Sequence, residues 1–503
     1  VLWALLAGLT QHTPPLDTVE WVCWGREWQL GYHKHPPLGA WMAELAFRLT
    51  PGSFAGVYLL SYACVGAAAW CAYGLARRVL PPRDAVLAAA CLEGLVFFGR
   101  PAAEFSNAVP FIALWAAAVL LFHRACEADR WRDWVGLGLA LGLALLCKYS
   151  AVFLVAPLLA VWLWRNGAGR LSRPAVVALV AALVFLPHFV WLCRNDFPTV
   201  RYALSRTRGE SGALDHHLSG LSFLLSQGLR LLPVLLILLP VLAWRPRRVG
   251  ARGARDRAFL AAAVGGPVLL HLAASLLLGM ALRDIWGSSL WTFAGVLLLH
   301  AVETRPEGRA WRRAALCWAI AAVVALLGSL AANLAGSALG GRPARIHYPG
   351  PELSRAVAGR WQERFGGAPA VVAGDWWLAG NVCCHAAARP TLYGSLEPAW
   401  YGLDLAKEAG DPRRFASPEP RAAPWTGDAD LLRRGGVLVW DADCYGDALP
   451  AWLRARFPTA VAEKPLALPC AGGGPTIRVG WAMAPPTPDV RTSTASGPGA
   501  PGR

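Results

Sequence analysis

Charge is scarce in this chain. Of 503 residues only 16% are Asp, Glu, Lys or Arg, while 55% are hydrophobic, against about 25% charged in an average soluble domain. That balance excludes an ordinary soluble protein and indicates a polytopic membrane protein with room for a soluble part. Lysine is scarcer still: Lys34, Lys148, Lys407 and Lys464 are the lysines among 48 basic residues. In a chain biased toward Arg, Ala and Gly, each retained lysine stands out. The net charge of +16 would suggest nucleic acid in a soluble protein. Here most Arg falls in short loops between apolar runs, so the positive-inside rule accounts for it and no nucleic-acid partner is expected. No internal repeat is visible. The opening run Val1–Thr10 has no basic n-region or cleavage site, and it is shorter than the roughly 20 residues a spanning helix needs. It reads as the end of a truncated first helix, not as a signal peptide.

What the chain does have is long apolar runs. Eleven follow one another, roughly 1–11, 53–76, 84–99, 107–123, 134–147, 150–164, 174–193, 218–243, 258–282, 286–302 and 314–339. The stretch 134–164 reads either as a hairpin or as one long helix. Arg77/Arg78, Arg124/Arg130/Arg132, Arg165/Arg170/Arg173, the Arg245–Arg257 cluster and Arg305/Arg309/Arg312/Arg313 fall on alternate loops, which are then the cytoplasmic ones. The Asp17–Thr50 loop, Arg100–Ser106, Lys148/Tyr149, Arg194–His217, Arg283/Asp284 and everything after Gly340 then lie outside.

Past Gly340 the texture changes. Pro351–Phe365 and Asp375–Ala387 are helix-like, Ala370–Ala373 and Gly436–Trp440 strand-like, with a short helix near Leu449–Phe457 and a strand near Thr476–Trp481. Strands alternating with helices predict a small α/β domain. The expected division is a membrane domain over 1–340 with its first external loop at 11–52, an extracytoplasmic α/β domain over 341–484, and a disordered Pro/Gly/Ser/Thr tail over 485–503. Cys64, Cys71, Cys91, Cys147 and Cys317 sit in apolar runs as small packing residues. Cys383, Cys384, Cys444 and Cys470 fall in the external domain, where a disulfide is permitted, Cys444 with Cys470 first. Their spacing matches no zinc pattern, and no Asp-x-Asp type pair is read as needing a metal, so no metal is invoked and no other cofactor is expected.

The first external loop concentrates the reactive groups. Asp17-Thr-Val-Glu20 and Gly31-Tyr-His-Lys-His-Pro-Pro-Leu38 place two acids, two histidines and a lysine within about two dozen residues, among Trp21, Trp24, Trp28 and Trp41. Two readings stand: an aromatic-belted connector at the headgroup level, or a catalytic loop with a carboxylate at the bilayer edge and cations for a phosphate. An acid pair just after the first span, the GY-x-KHPPL run, Gly138-Leu-Ala-Leu-Gly-Leu-Ala-Leu-Leu-Cys-Lys148-Tyr149, a long series of spans and an external domain resemble one family. It is the C-type (GT-C) membrane glycosyltransferases of family 39. The chain is most similar to the bacterial branch holding aminoarabinose transferases that act on lipid A and the related polyprenyl-phosphate-mannose protein mannosyltransferases. The resemblance covers about residues 1–210. It implies an all-α polytopic domain of about eleven transmembrane helices in the bacterial inner membrane. It also implies inverting transfer of a sugar from a polyprenyl-phosphate donor to an envelope lipid, glycan or protein on the extracytoplasmic face. Where the family often has an acid near the start of the fourth span, this chain reads Glu104-Phe-Ser-Asn107; either Glu104 substitutes or Asn107 hydrogen-bonds the sugar.

Inverting transfer needs a base for the acceptor hydroxyl, and Asp17, at the water end of the first span, is the candidate; partial desolvation strengthens a carboxylate as base. Its other reading is a solvated acid or a helix cap. Glu20, one turn on, either orients the acceptor or pairs with Arg26 or Lys34. The leaving phosphate calls for cations, and Lys34, His35, Lys148, Arg201 and Arg206 occupy external loops where the positive-inside rule does not put them. Lys148, ending an apolar helix, reads equally as a snorkelling anchor, and the basic loop from Arg194 through Arg208 equally as a solvated connector. Tyr32 and Tyr149, beside these lysines in the two motifs, complete the substrate-binding candidates. Pro36-Pro37 fixes the chain direction after the cations. A lipid-linked sugar transporter or flippase is the alternative, but it calls for charged residues at mid-span or paired broken helices, and Glu93 and His271 are the exceptions in otherwise uncharged spans. A non-enzymatic assembly protein has no need of the Asp17–Leu38 cluster.

Overall fold

The computed structural model describes residues 1–167, 171–207, 215–340, 344–394 and 423–487. Arg208, Lys407 and, from 488 on, the expected tail lie outside the described residues. The chain divides into two compact units, Val1–Ala335 and Gly336–Arg503.

All eleven apolar runs of the first unit are helical. Among the described residues seven helices are long and apolar enough to cross a membrane, fewer than the eleven spans expected: α4 (Ala55–Val79), α6 (Ala108–Ala128), α8 (Val152–Asn166, with the turn at Tyr149 before it), α9 (Ser172–Arg194), α11 (Asp215–Leu238), α12 (Ala251–Leu278) and α14 (Gly308–Gly340). The run at 84–99 becomes α5 (Pro82–Ala90) and three short 3₁₀ turns, bent by 84° between Pro82–Gly94 and Val96–Ala103. The remaining three runs are α1 (Leu2–Thr10), α7 (Trp131–Leu145) and α13 (Ala294–Ala301), each shorter than the ~20 residues of a full span. Of the two readings of 134–164, the chain adopts two helices. α7 stops at Leu145, Lys148 is extended (φ −158°, ψ 129°), and α8 follows a 3₁₀ turn at Tyr149–Ala151.

The glycines of the Gly-Leu-Ala stretch have a packing reason. A Cβ on Gly138 would lie 2.7 Å from Val180 Cβ, and one on Gly142 would lie 2.8 Å from Val184 Cβ. α7 and α9 therefore approach at a small-residue seam, the usual way helices associate when lipid removes the hydrophobic drive.

The segment expected as the first external loop is more ordered than a connector. Leu16–Arg26 forms α2 and Leu38–Leu49 forms α3, each following a proline, Pro15 and Pro37. Proline lacks the N–H that a helix start leaves unused and pre-sets φ, so each Pro marks where a helix begins. α2 and α3 pack closely at Gly25, where a Cβ would meet Ala40 O at 2.2 Å. A two-stranded antiparallel ribbon, β1 (Leu242–Pro246) with β2 (Val302–Thr304), joins two of the Arg-rich loops.

The second unit is an α/β fold. The described sheet runs β4-β3-β5-β8-β6, with β7 also pairing β8. β3 (Val371–Gly374) lies parallel to β4 (Thr391–Tyr393) and to β5 (Gly436–Asp441), with Val372 opposite Leu392 and Val437. β8 (Thr476–Ala484) is antiparallel to β5, β6 (Val461–Ala462) and β7 (Leu466–Pro469). Val371–Gly374 is buried throughout, as a strand covered on both faces must be. α15 (Gly350–Phe365) and α16 (Trp376–His385) precede and follow β3. Asp375 caps α16 by accepting from Leu378 N at 2.7 Å. The short helices are α17 (Asp428–Arg434), α18 (Ala442–Tyr445) and α19 (Ala451–Arg456). The expected disulfide is corrected: all twelve cysteines are thiols. Cys444 sits on α18 with its thiol donating to Asp441 Oδ2 at 3.4 Å, and Cys470 is buried after β7. Flanking the same helix–strand unit did not bring the two sulfurs into bonding range.

Candidate active site

Two backbone-to-side-chain bonds join α2 to the segment before α6. Phe105 N donates to Thr18 Oγ1 at 2.9 Å, and Asp17 N donates to Glu104 Oε1 at 3.1 Å. The two half-buried acids, Asp17 in the first turn of α2 and Glu104 before α6, are thereby brought together. An acid in a first helical turn also meets the positive end of the helix dipole. Glu20, one turn along, is buried and accepts from Lys34 Nζ at 2.5 Å, with side chains 6% and 9% exposed. Of the partners open to it in the sequence, Glu20 takes Lys34. The lysine's charge is balanced inside the loop, and its Nζ also lies 5.7 Å from the Trp24 ring.

The loop between α2 and α3 is an aromatic stack. Tyr32 stacks on Trp24 at 5.1 Å and 7°, donating its hydroxyl to Trp24 O at 2.8 Å, and His35 stacks on Trp21 at 5.4 Å. Burial pushes the Tyr32 phenol well above its ordinary pKa. Asn107 Nδ2 donates to His35 Nδ1 at 3.2 Å and reaches Cys147 O at 3.4 Å. Leu38 N donates to Leu146 O at 3.0 Å. The loop is thus pinned to the α7–α8 break that carries Lys148. His35 was expected as a cation, and here the structure corrects the sequence. Burial first, then Lys34, Lys148 and Arg206, lower its pKa to about 3, so it is a neutral imidazole. Accepting at Nδ1 leaves its proton on Nε2.

Lys148 is half-buried, its Nζ 5.7 Å from the Phe111 ring centroid, and burial lowers its pKa to about 8. Tyr149 points elsewhere. His188 Nδ1 donates to Leu30 O at 2.7 Å, so its Nε2 accepts from the Tyr149 hydroxyl at 2.7 Å, which accepts in turn from Thr199 Oγ1 at 2.7 Å. That chain ties α8, α9, the first loop and α10 (Pro198–Thr207) together. On α10, Arg201 and Arg206 are exposed, with the Arg206 guanidinium 5.9 Å from the Tyr202 ring. Tyr202 packs edge-on against His35 at 5.9 Å and His33 at 6.4 Å. Its phenol is raised by burial, offset by Arg206, and feels Glu20, Arg283 and Asp17 as well.

Asp17, Glu20, Lys34, His35, Glu104, Asn107, Lys148 and Arg206 are therefore brought together. Tyr32 and Tyr149 are built into the supports, and Arg201 stands apart on the exposed face of α10. Sequence reasoning missed Thr18, His188, Thr199 and Tyr202. Thr18 lay inside the singled-out acid pair and Tyr202 between two singled-out arginines, so proximity was the available signal. His188 and Thr199 have partners far off in the chain, and no local pattern marks them.

Residues 34–191 match the family model described as dolichyl-phosphate-mannose-protein mannosyltransferase. A lipid A galacturonosyltransferase, RgtD, of Rhizobium johnstonii is 31% identical over 195 residues, 37% of this chain and 40% of that protein. The undecaprenyl phosphate-alpha-4-amino-4-deoxy-L-arabinose arabinosyl transferase 2 of Pseudomonas fluorescens is 27% identical over 161 residues, 30% of this chain and 27% of that one. The chain thus matches less than half the length of either relative. The crystal structure of ArnT from Cupriavidus metallidurans in the apo state superposes with a TM-score of 0.63 at 15% identity, over 96% of both chains. The same protein bound to undecaprenyl phosphate gives 0.53 at 15% identity, over 99% and 97%. The chain has the GT-C fold and resembles the aminoarabinose-transferase branch of the membrane glycosyltransferases.

Proposed function

We propose that this protein transfers a sugar from a polyprenyl-phosphate donor to an acceptor in the bacterial envelope, with inversion at the anomeric carbon. The observation that carries the reading is the convergence of Asp17, Glu104, the Glu20–Lys34 pair, the His35–Asn107 pair and Lys148 at the ends of α2, α6 and α7. Relatives named for lipid A and for undecaprenyl phosphate support the same class of substrates. In this reading the site faces the extracytoplasmic side of the inner membrane and the C-terminal α/β unit is extracytoplasmic, which the alternation of Arg-rich loops supports.

In this reaction Asp17 takes the proton from the acceptor hydroxyl as its oxygen attacks the anomeric carbon. The bond from that carbon to the phosphate oxygen breaks, and the phosphate leaves with the electron pair. Lys148 and Arg206 stabilise the charge that gathers on it, the kind of preorganised electrostatics that commonly contributes most. Asp17 is preferred to Glu20 because it is the half-buried acid in the first turn of α2, whereas Glu20 is buried against Lys34. Glu104 fills the second acidic role by fixing the start of α2, and Asn107 sets the His35 tautomer that offers Nε2–H to a sugar hydroxyl. A general base is worth about 10²–10⁴-fold in rate. Asp17→Asn should cost that much in transfer from a polyprenyl-phosphate donor with donor binding largely kept, and Glu20→Gln less. Near-normal transfer by a folded Asp17→Asn protein moves the base to Glu104.

A further inference from the structure

Arg283 is distant in sequence from every motif above, yet its segment is fastened to the end of α10 and along α11. Ala281 N donates to Thr207 O, the last residue of α10, at 2.8 Å, and Leu282 N donates to Ser219 Oγ on α11 at 3.2 Å. The next residue, Asp284, is gripped by α11. Its Oδ1 accepts from Ser226 Oγ at 2.5 Å, Gln227 Nε2 at 3.0 Å and Arg230 Nε at 2.9 Å. Gln227, fully buried, is held in turn by Trp291 Nε1, which donates to its Oε1 at 3.1 Å. Three donors on one carboxylate oxygen hold this segment against α11 as a solvated connector need not be held. Arg283 itself stays exposed, at the start of the short 3₁₀ turn Asp284–Gly287.

The bond to Thr207 places Arg283 beside the end of α10 that carries Arg206 and Tyr202. Its charge is felt at the Tyr202 hydroxyl together with those of Arg206, Asp17 and Glu20. Two guanidinium groups at one edge of a site, one of them on a segment that the Asp284 carboxylate holds to α11, suit the oxygens of a phosphate. We propose that Arg283 is a substrate-binding residue that takes phosphate oxygens of a lipid substrate alongside Arg206, and that Asp284 is the residue positioning it. The inference rests on the proposed function, because it assumes that phosphate-bearing lipids enter this site.

The shared chemistry is a lipid phosphate, which either the donor or a phosphorylated acceptor carries, and the test separates the two. Full-length protein in nanodiscs is titrated with undecaprenyl phosphate, with lipid A, and with lipid A stripped of its phosphates, as wild type, Arg283→Gln, Arg283→Lys and Asp284→Asn. The expected result is a loss of at least tenfold in affinity for one of the two phosphorylated lipids in Arg283→Gln, partial recovery in Arg283→Lys, and no change toward the dephosphorylated lipid. Loss toward undecaprenyl phosphate assigns Arg283 to the donor, and loss toward lipid A to the acceptor. In transfer assays KM for that substrate rises while kcat stays within a few-fold, and Asp284→Asn moves the same KM, a split that mere loss of folded protein would not give. Arg283→Gln binding both lipids within twofold of wild type overturns the inference and leaves the proposed function standing. Wild type binding neither phosphorylated lipid overturns both.

Discussion

The break between α7 and α8 makes a pH-dependent prediction. Lys148 sits there with its pKa lowered from 10.5 to about 8 by burial. That 2.5-unit difference corresponds to about 3 kcal/mol held against the ammonium form. The sign follows from the direction. Below about pH 8 the folded protein carries a charge it would rather lose, and this cost disappears as pH rises from about 8 to 10.5. An anionic phosphate reverses the preference. At ~4 Å and an effective dielectric near 20, one ion pair is worth about 4 kcal/mol, enough to bring Lys148 back to its ordinary pKa. Affinity for undecaprenyl phosphate should then be flat from pH 7.5 to 8 and fall toward tenfold per unit above it, up to ~300-fold in the limit. The lipid phosphate has lost its second proton by then, so its own titration does not intrude. Equilibrium binding in nanodiscs at pH 7.5–9.5 measures this. Lys148→Arg, charged throughout, should bind with no such fall, and Lys148→Met should bind weakly at every pH. Wild-type affinity independent of pH across that window, or a Lys148→Met protein that binds as wild type does, refutes the reasoning and leaves Lys148 a snorkelling anchor.

Three further outcomes are expected. Lys34→Met removes the buried cation that Glu20 accepts from and should cost about 3–5 kcal/mol of stability, most of it recovered in Glu20→Gln/Lys34→Met; a double variant no better than Lys34→Met in thermal unfolding would show that the pair is not the reason. Gly25→Ala drives a methyl into Ala40 O and should destabilise the α2–α3 pair by about 1–3 kcal/mol, seen as faster proteolysis of the first loop; protection equal to wild type counts against that packing. Non-reducing peptide mapping should recover Cys444 and Cys470 as thiols, and a peptide joining them would restore the disulfide expected from sequence.

Much of this was legible in the sequence for physical reasons. Apolar runs and Arg-rich loops report burial in lipid and charge at its edge, so the runs were found as helices, but the count of about eleven spans was too high: among the described residues seven helices, or eight with the bent pair, are long and apolar enough to cross a membrane. Yet run length did not reveal that Pro82–Ala103 bends by 84°, because hydropathy carries no direction. In the second unit, β3 and β5 stood out because strands covered on both faces must be continuously apolar. β6, which is exposed, and β7, half-buried at alternate positions, gave no such signal. At the site, Lys34 and Glu20 were both named, but the sequence left open whether the lysine faces a phosphate or an acid. His35 was read as a cation because histidine near neutrality is balanced between forms, and only its burial among Lys34, Lys148 and Arg206 settles the neutral one. Arg283 was invisible as a site residue because its anchor, Asp284 with Ser226, Gln227 and Arg230, spans more than fifty positions.

The glycine seam between α7 and α9 has an evolutionary consequence. α9 is the common reference for the reactive parts: His188 fixes Leu30 and Tyr149, and Trp191 fills the space in which a Gly31 side chain would stand. Whatever sets the spacing of α9 from α7 therefore sets the spacing of the first loop from Lys148. Related sequences should vary at this seam in a correlated way, with alanine at 142 accompanied by glycine at 184, because the atom met is the Val184 Cβ; at 138 the Val177 carbonyl oxygen stands in the way as well, so glycine should stay there. A lineage could retune its substrate fit by exchanging volume across the seam while every reactive side chain stayed the same.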